Sequence, residues 1–206
     1  TVGATPLFQT GYARDSLGRI TTLTETIESS TNLYLYSYDA AGRLATVIRN
    51  GAQIASYSYD ANGNRVNATD LTGAFTGSYD AQDRLVSYGN TTYSYTANGE
   101  LQSKTVAEPV EATGYSYDEF GNLTRVVLPT GEVITYLIDG KDRRVGKQVN
   151  GVLQKGWLYE DQLRPVAELD GSGAMVSRFV YATRVNVPDY MVKGGVTYRL
   201  VLDHLG

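Results

Sequence analysis

The chain has no cysteine. Disulfides, thiolate metal sites and thiol nucleophiles are therefore excluded. It has one histidine, His204, so imidazole chemistry has a single candidate side chain. No apolar run approaches the roughly 20 residues of a membrane-crossing helix, and no membrane span is expected. Basic excess is also missing: 18 Lys and Arg face 22 Asp and Glu, for a formal net charge of −4. A protein that tracks a phosphate backbone carries the opposite balance, so no nucleic-acid partner is expected. The first residues, Thr1 to Pro6, lack the basic and then apolar pattern of a signal peptide. The chain does not begin with Met, and it is expected to be a window of something longer.

What is present is biased. Hydrophobic residues make up 42%, which argues for a folded chain. There are 17 Tyr against 4 Phe and 1 Trp, and 22 Gly against 5 Pro. Tyrosine suits a half-buried pleated surface, and glycine suits tight turns. Many short strands joined by many turns follow.

A repeat is legible. Tyr36-Ser-Tyr-Asp-Ala-Ala-Gly-Arg-Leu44 is followed by Tyr57-Ser-Tyr-Asp-Ala-Asn-Gly-Asn-Arg65 and later by Tyr115-Ser-Tyr-Asp-Glu-Phe-Gly-Asn-Leu123. Degenerate copies start at Tyr12, Ser78, Tyr93, Tyr136 and Trp157, and Phe179-Val-Tyr181 is one more aromatic start. The turn acid falls at Asp15, Asp39, Asp60, Asp80, Asp118, Asp139 and Glu160, with Thr96 in the same slot. Such periodicity means stacked supersecondary units.

Each unit reads as a hairpin. Tyr36 and Tyr38 are two apart and share a strand face. Asp39-Ala-Ala-Gly42 is a turn: the carboxylate accepts backbone N–H bonds and glycine tolerates φ > 0. The same reading assigns turn roles to Asp15 with Gly18, Asp60 with Gly63, Asp118 with Gly121, and to Asp80 and Asp139. Arg43 to Arg49 returns as a strand, and Asn50-Gly51 is a type I′ hairpin signal. Second turns of this kind recur at Thr72-Gly73, Thr130-Gly131, Asn150-Gly151, Asp170 to Gly173 and Gly194-Gly195. Residues 106–112, which include Pro109, form a loop or bulge. The whole is an antiparallel meander of roughly 18 strands, about nine hairpins across residues 1–206. Closed on itself, a sheet of that width makes a cylinder only about 27 Å across. It is therefore expected to be part of a wall.

The Tyr-x-Tyr-Asp-x-x-Gly-Arg/Asn-Leu unit resembles the YD repeats of the Rhs family: bacterial polymorphic toxins, shell subunits of insecticidal toxin complexes, and teneurin-like shells. The likeness runs from about residue 12 to residue 206. Trp157 to Leu163, Val166 to Asp170 and Asp203 to Gly206 resemble the start of the bacterial Rhs core, so residues 157–206 are assigned to it. The resemblance implies an all-β sheet that curves or spirals into a shell or tube. It also implies an encapsulated C-terminal toxin domain or other cargo, and a secreted or cell-surface, bacterial setting. The Asp-Pro-x-Gly self-cleavage segment of toxin members is absent here, so no protease activity carries over.

Sharper readings are weaker. Asp203 and His204 are adjacent and point to opposite faces on a strand, and no nucleophile is identifiable. Asp60, Asn62 and Asn64 mimic the start of a calcium loop, but Arg65 stands where glycine is required. Gly140 to Lys147 has the wrong spacing for a phosphate loop. The acids recur at one slot, as turns require, whereas a catalytic pair breaks the pattern. No catalytic, cofactor or metal residue is assigned. Tyr36, Tyr38, Tyr57, Tyr59, Tyr79, Tyr93, Tyr95, Tyr115, Tyr117, Tyr159 and Tyr181 are read as an aromatic ladder that holds repeat on repeat. The partners expected are further repeats of the same chain, or neighbouring copies at open sheet edges. The alternative function is an adhesive or filament-forming module whose tyrosines meet surface glycans.

Overall fold

A computed structural model describes residues 7–202. Among them there are nineteen strands and no helix. The chain divides into two compact units, residues 1–91 and 92–206. The stretch from Asp203 to Gly206, including His204, lies outside the described residues.

The first unit runs β1 (Phe8–Arg14), β2 (Ile20–Ile27), β3 (Ser30–Tyr38), β4 (Leu44–Arg49), β5 (Ala52–Tyr59), β6 (Arg65–Asp70), β7 (Gly73–Tyr79) and β8 (Leu85–Tyr88). Each strand pairs antiparallel with the next. β9 (Thr91–Tyr95) begins at the boundary. The second unit continues with β10 (Leu101–Val106), β11 (Glu111–Tyr117), β12 (Leu123–Val127), β13 (Val133–Ile138), β14 (Arg144–Val149), β15 (Val152–Tyr159), β16 (Pro165–Asp170), β17 (Met175–Val180), β18 (Tyr190–Lys193) and β19 (Val196–Arg199). β10 to β19 form the same consecutive antiparallel ladder. The all-β meander expected from the repeat is what the structure contains.

Two turn chemistries fold it. Asn50 and Gly51 both have positive φ, 51° and 85°, the pair of values a type I′ turn needs. Asn150 and Gly151 repeat this at 50° and 81°. The Asp turns close differently. Gly42 N–H donates to Asp39 O at 2.9 Å, Asp39 N–H donates to Arg43 O at 2.8 Å, and Gly42 stands at φ 83°. This is a type I turn followed by a left-handed glycine bulge. The ladder slips there, so that Tyr38 faces Leu44 while Ser37 faces Thr46. Tyr59 with Arg65, Tyr79 with Leu85, Tyr117 with Leu123 and Tyr159 with Pro165 slip at the same place. Two turns expected to be of the Asn-Gly kind, at Gly131 and Gly173, close instead like the Asp turns. Residues 107–110 are a short loop between paired β10 and β11.

Side-chain alternation gives each sheet two unlike faces. Residues paired across antiparallel strands share a face. Tyr36 pairs with Val47, Val47 with Ala55, Tyr57 with Ala68 and Ala68 with Phe75. On this tyrosine face lie the buried residues Val47, Ala55, Ala68 and Val126. Small partners let the rings lie along the sheet. Gly77 is a tight case, since a Cβ there would stand 2.8 Å from the carbonyl oxygen of Arg65 and 3.3 Å from the Tyr79 ring. The serine between two motif tyrosines points the other way. At three such positions it meets a hydroxyl or amide of the return strand, Ser37 with Thr46 at 2.6 Å, Ser58 with Asn67 at 2.9 Å and Ser94 with Ser103 at 2.7 Å, and Ser78, which follows Gly77, meets Ser87 in the same way at 2.6 Å.

Within each unit, the described strands pack only on their neighbours in sequence. Among the described residues only five apolar side chains are buried. Order must therefore come from contacts along the sheet between one hairpin and the next.

Candidate functional site in the repeat turns

Those contacts converge on the Asp turns. Asp39 Oδ1 accepts the backbone N–H groups of Ala41 at 3.0 Å and Arg43 at 2.9 Å, and Oδ2 accepts from Arg43 Nε at 2.7 Å. Asp15 with Arg19, Asp80 with Arg84 and Asp139 with Arg143 form the same arrangement. Asp60 and Asp118 use the shorter amides of Asn64 and Asn122. The backbone and side-chain donors of Arg43 hold the Asp39 carboxyl below its ordinary range, against the desolvation that would raise it. The side-chain bond from Arg143 leads the causes at Asp139, which is lowered to about 2.

Arg19, Arg43, Arg143 and, in the turn after Tyr159, Arg164 then reach the next hairpin. Arg43 stands 4.6 Å from the ring centroid of Tyr59, and its Nη1 donates to the carbonyl of Asp60 at 2.9 Å. Arg19 covers Tyr38 at 4.5 Å, Arg143 covers Tyr159 at 5.1 Å, and Arg164 covers Tyr181 at 5.9 Å. The second tyrosine of the motif reaches back. Its hydroxyl donates to the first residue of the preceding return strand: Tyr38 to Ile20 O, Tyr59 to Leu44 O, Tyr79 to Arg65 O, Tyr117 to Leu101 O, Tyr159 to Arg144 O and Tyr181 to Pro165 O, all within 2.6–3.0 Å. Burial raises the phenol pKa of Tyr59, Tyr117 and Tyr181.

The structure thus joins turn acid, turn arginine and motif tyrosine into one chain of contacts. Tyr36, Tyr57 and Tyr115 lie two residues before the bonded tyrosines on β3, β5 and β11, and Tyr93 and Tyr95 lie on β9. All six bonded tyrosines meet a backbone carbonyl, and Tyr38, Tyr59, Tyr159 and Tyr181 also meet a guanidinium. A stacked pair does occur between Phe75 and Tyr88, 5.4 Å apart. The acid slot needs one correction. Glu160 N–H closes its loop onto Arg164 O, but the capping carboxylate is Asp161, which accepts from Leu163 N–H, Arg164 N–H and Arg164 Nε. The turn keeps the length of the others, from Tyr159 to Pro165, and only its capping acid moves one residue along, which spacing alone does not reveal.

No group of three metal-ligating side chains occurs among the described residues. Asn62 and Asn64 both donate to Asp83 Oδ1, so the calcium-like segment is occupied by its own amides. A hollow of about 330 Å³ is lined by Trp157, Tyr159, Asn122, Asp142 and Arg144. Its one carboxylate, Asp142, already accepts from Asn122 at 3.0 Å.

The Teneurin YD-shell family model matches residues 1–206. Mouse Teneurin-3 is 30% identical over 156 residues, covering 73% of this chain and 6% of the relative. The probable deoxyribonuclease RhsB of Dickeya dadantii is 34% identical over 134 residues, covering 62% of this chain and 9% of the relative. The crystal structure of TcdB2-TccC3 aligns with a TM-score of 0.45 and 12% identity, covering 97% of this chain and 16% of that chain. The chain therefore spans a small fraction of the proteins it matches.

Proposed function

We propose, since the chain belongs to the Teneurin YD-shell family, that these residues are a length of non-catalytic β-sheet wall. The observation that carries the reading is the ladder within each unit, in which strands pack on their neighbours in sequence and hairpins are tied together at one repeated slot. An active site gathers unlike groups in one place and departs from the repeat. Here like groups recur in every repeat. The turn residues Asp15, Gly18, Asp39, Gly42, Asp60, Gly63, Asp80, Asp118, Gly121 and Asp139 set the hairpins, and the motif tyrosines hold them in register.

Such a wall acts mechanically. It excludes water and proteases from what lies behind it, and it stays folded when the contents leave. The contents we assign are another segment of the same polypeptide, a toxin domain or other cargo, in a secreted or cell-surface protein. Limited proteolysis of the natural full-length protein tests this. Cleavage sites downstream of the repeats should be protected while the repeats are folded and exposed once they unfold. Sites open to protease in the folded protein, together with chain-to-chain assembly in sedimentation, would favour the adhesive or filament reading instead.

A further inference from the structure

Two positions in successive turns vary together. One is the last residue of a turn. The other is the third residue after the acid in the next turn, where the backbone is left-handed. Arg19 is followed by Gly42 and Arg43 by Gly63, whereas Asn64 is followed by Asp83 and Asn122 by Asp142. Glu100, followed by Gly121, belongs to neither class, and Arg143 is followed by a turn with Leu163 at this position and no left-handed residue, so the match holds for the turns capped by the first acid.

The geometry explains the association. A long arginine crosses to the next turn and binds its backbone, as Arg43 does at Asp60 O. Arg19 Nη1 stands 3.2 Å from where a Cβ on Gly42 would be, so at that turn the arm occupies the side chain's space, whereas at Gly63, beside Arg43, the space is open and the glycine answers only to its φ of 94°. Asparagine falls short, and a carboxylate comes from the other side. Asp83 and Asp142 adopt φ of 60° and 58°, a region that aspartate tolerates better than most residues. Asn64 Nδ2 donates to Asp83 Oδ1 at 2.7 Å, and Asn122 Nδ2 donates to Asp142 Oδ1 at 3.0 Å.

We infer that these two positions are a neighbour-matching pair that determines which repeats can stand next to each other. An Arg-ending turn fits a glycine turn, and an Asn-ending turn fits an aspartate turn. The inference rests on the wall reading only in that both concern stacked repeats. It would survive a wall that encloses nothing.

Hydrogen–deuterium exchange on the natural protein tests it through two double-mutant cycles. The first uses Arg19→Asn and Gly42→Asp, read at the amides of β2 and β3. Gly42→Asp alone should lower protection by about tenfold, the scale of one lost charge-assisted bond. The double variant, which installs the Asn–Asp pair, should recover much of that loss. The second uses Asn64→Ala and Asp83→Gly, read at β6 and β7, and stays informative if Gly42→Asp fails to fold. The two substitutions should together lower protection by less than the product of their separate effects. Independent effects in the second cycle, or no recovery in a folded Arg19→Asn/Gly42→Asp protein, would overturn the pairing.

Discussion

The hydroxyl of Tyr59 donates to the carbonyl of Leu44 at 2.8 Å, across the seam between β5 and β4. The same ring is covered by the guanidinium of Arg43, which the turn acid Asp39 holds in place. One tyrosine thus couples a strand, its neighbour and the turn that joins the neighbour's hairpin. Tyr59→Phe removes the hydrogen bond and keeps the ring, so it should cost about 1 kcal/mol. Tyr59→Leu also loses the guanidinium contact and should cost about 0.5–1 kcal/mol more. Urea unfolding of both variants measures the two steps. Equal midpoints would show that the ring contributes area alone.

The turn acid should be sensitive to charge as well as to shape. Asp39→Asn keeps an oxygen for the backbone N–H groups of Ala41 and Arg43 but no longer pairs with the guanidinium. Asp39→Ala loses both. Stability should fall in the order wild type, Asn, Ala, with the backbone bonds accounting for the second step. Thermal unfolding of the three proteins gives the order directly.

Acid should loosen the array over a defined range. Asp139 is lowered to about 2 from an ordinary value near 3.8, and Asp15, Asp39 and Asp80 are lowered in the same direction. A carboxyl with a depressed folded pKa binds more protons when unfolded. Its contribution is complete above the unfolded pKa and is lost as pH falls from about 4 toward 2. Denaturant midpoints measured from pH 7 to pH 2 should be flat with respect to these groups above about pH 5 and then decline. Asp139→Asn should flatten part of that decline.

The type I′ turns should reject side chains. Gly51 and Gly151 stand at φ of 85° and 81°. A β-branched residue there is strained, at roughly 1–2 kcal/mol. Gly151→Val should therefore destabilise β14 and β15 more than Gly140→Val, because Gly140 is not left-handed. Local hydrogen exchange at β14 and β15 compares the pair.

Much of this was legible in the residues. The Tyr-x-Tyr-Asp-x-x-Gly motif places the strand, the turn acid and the left-handed glycine at once, because each residue type answers one local backbone demand. Asn50-Gly51 gives its turn for the same reason. What escaped is longer in range. Arg43 reads in the sequence as the start of a strand, and its reach to Tyr59 and Asp60 appears only when hairpins are set side by side. The shift from Glu160 to Asp161 escaped because Glu160 keeps both the 21-residue step from Asp139 and the closing bond of the loop, while the neighbouring carboxylate takes over the cap. The two turns at Gly131 and Gly173 were misjudged because glycine alone does not say which hydrogen bonds will close a loop.

The central claim is that order passes from hairpin to hairpin along the sheet and not through a shared core. Residue-level hydrogen exchange of the Asp39→Ala protein tests it most directly. The account predicts that protection falls most in β3 and β4, less in β2 and β5, and that it is unchanged at β14 and β15, as nearest-neighbour coupling requires. A uniform loss of protection across both units would contradict it, because only a common cooperative core transmits a single turn defect to every strand.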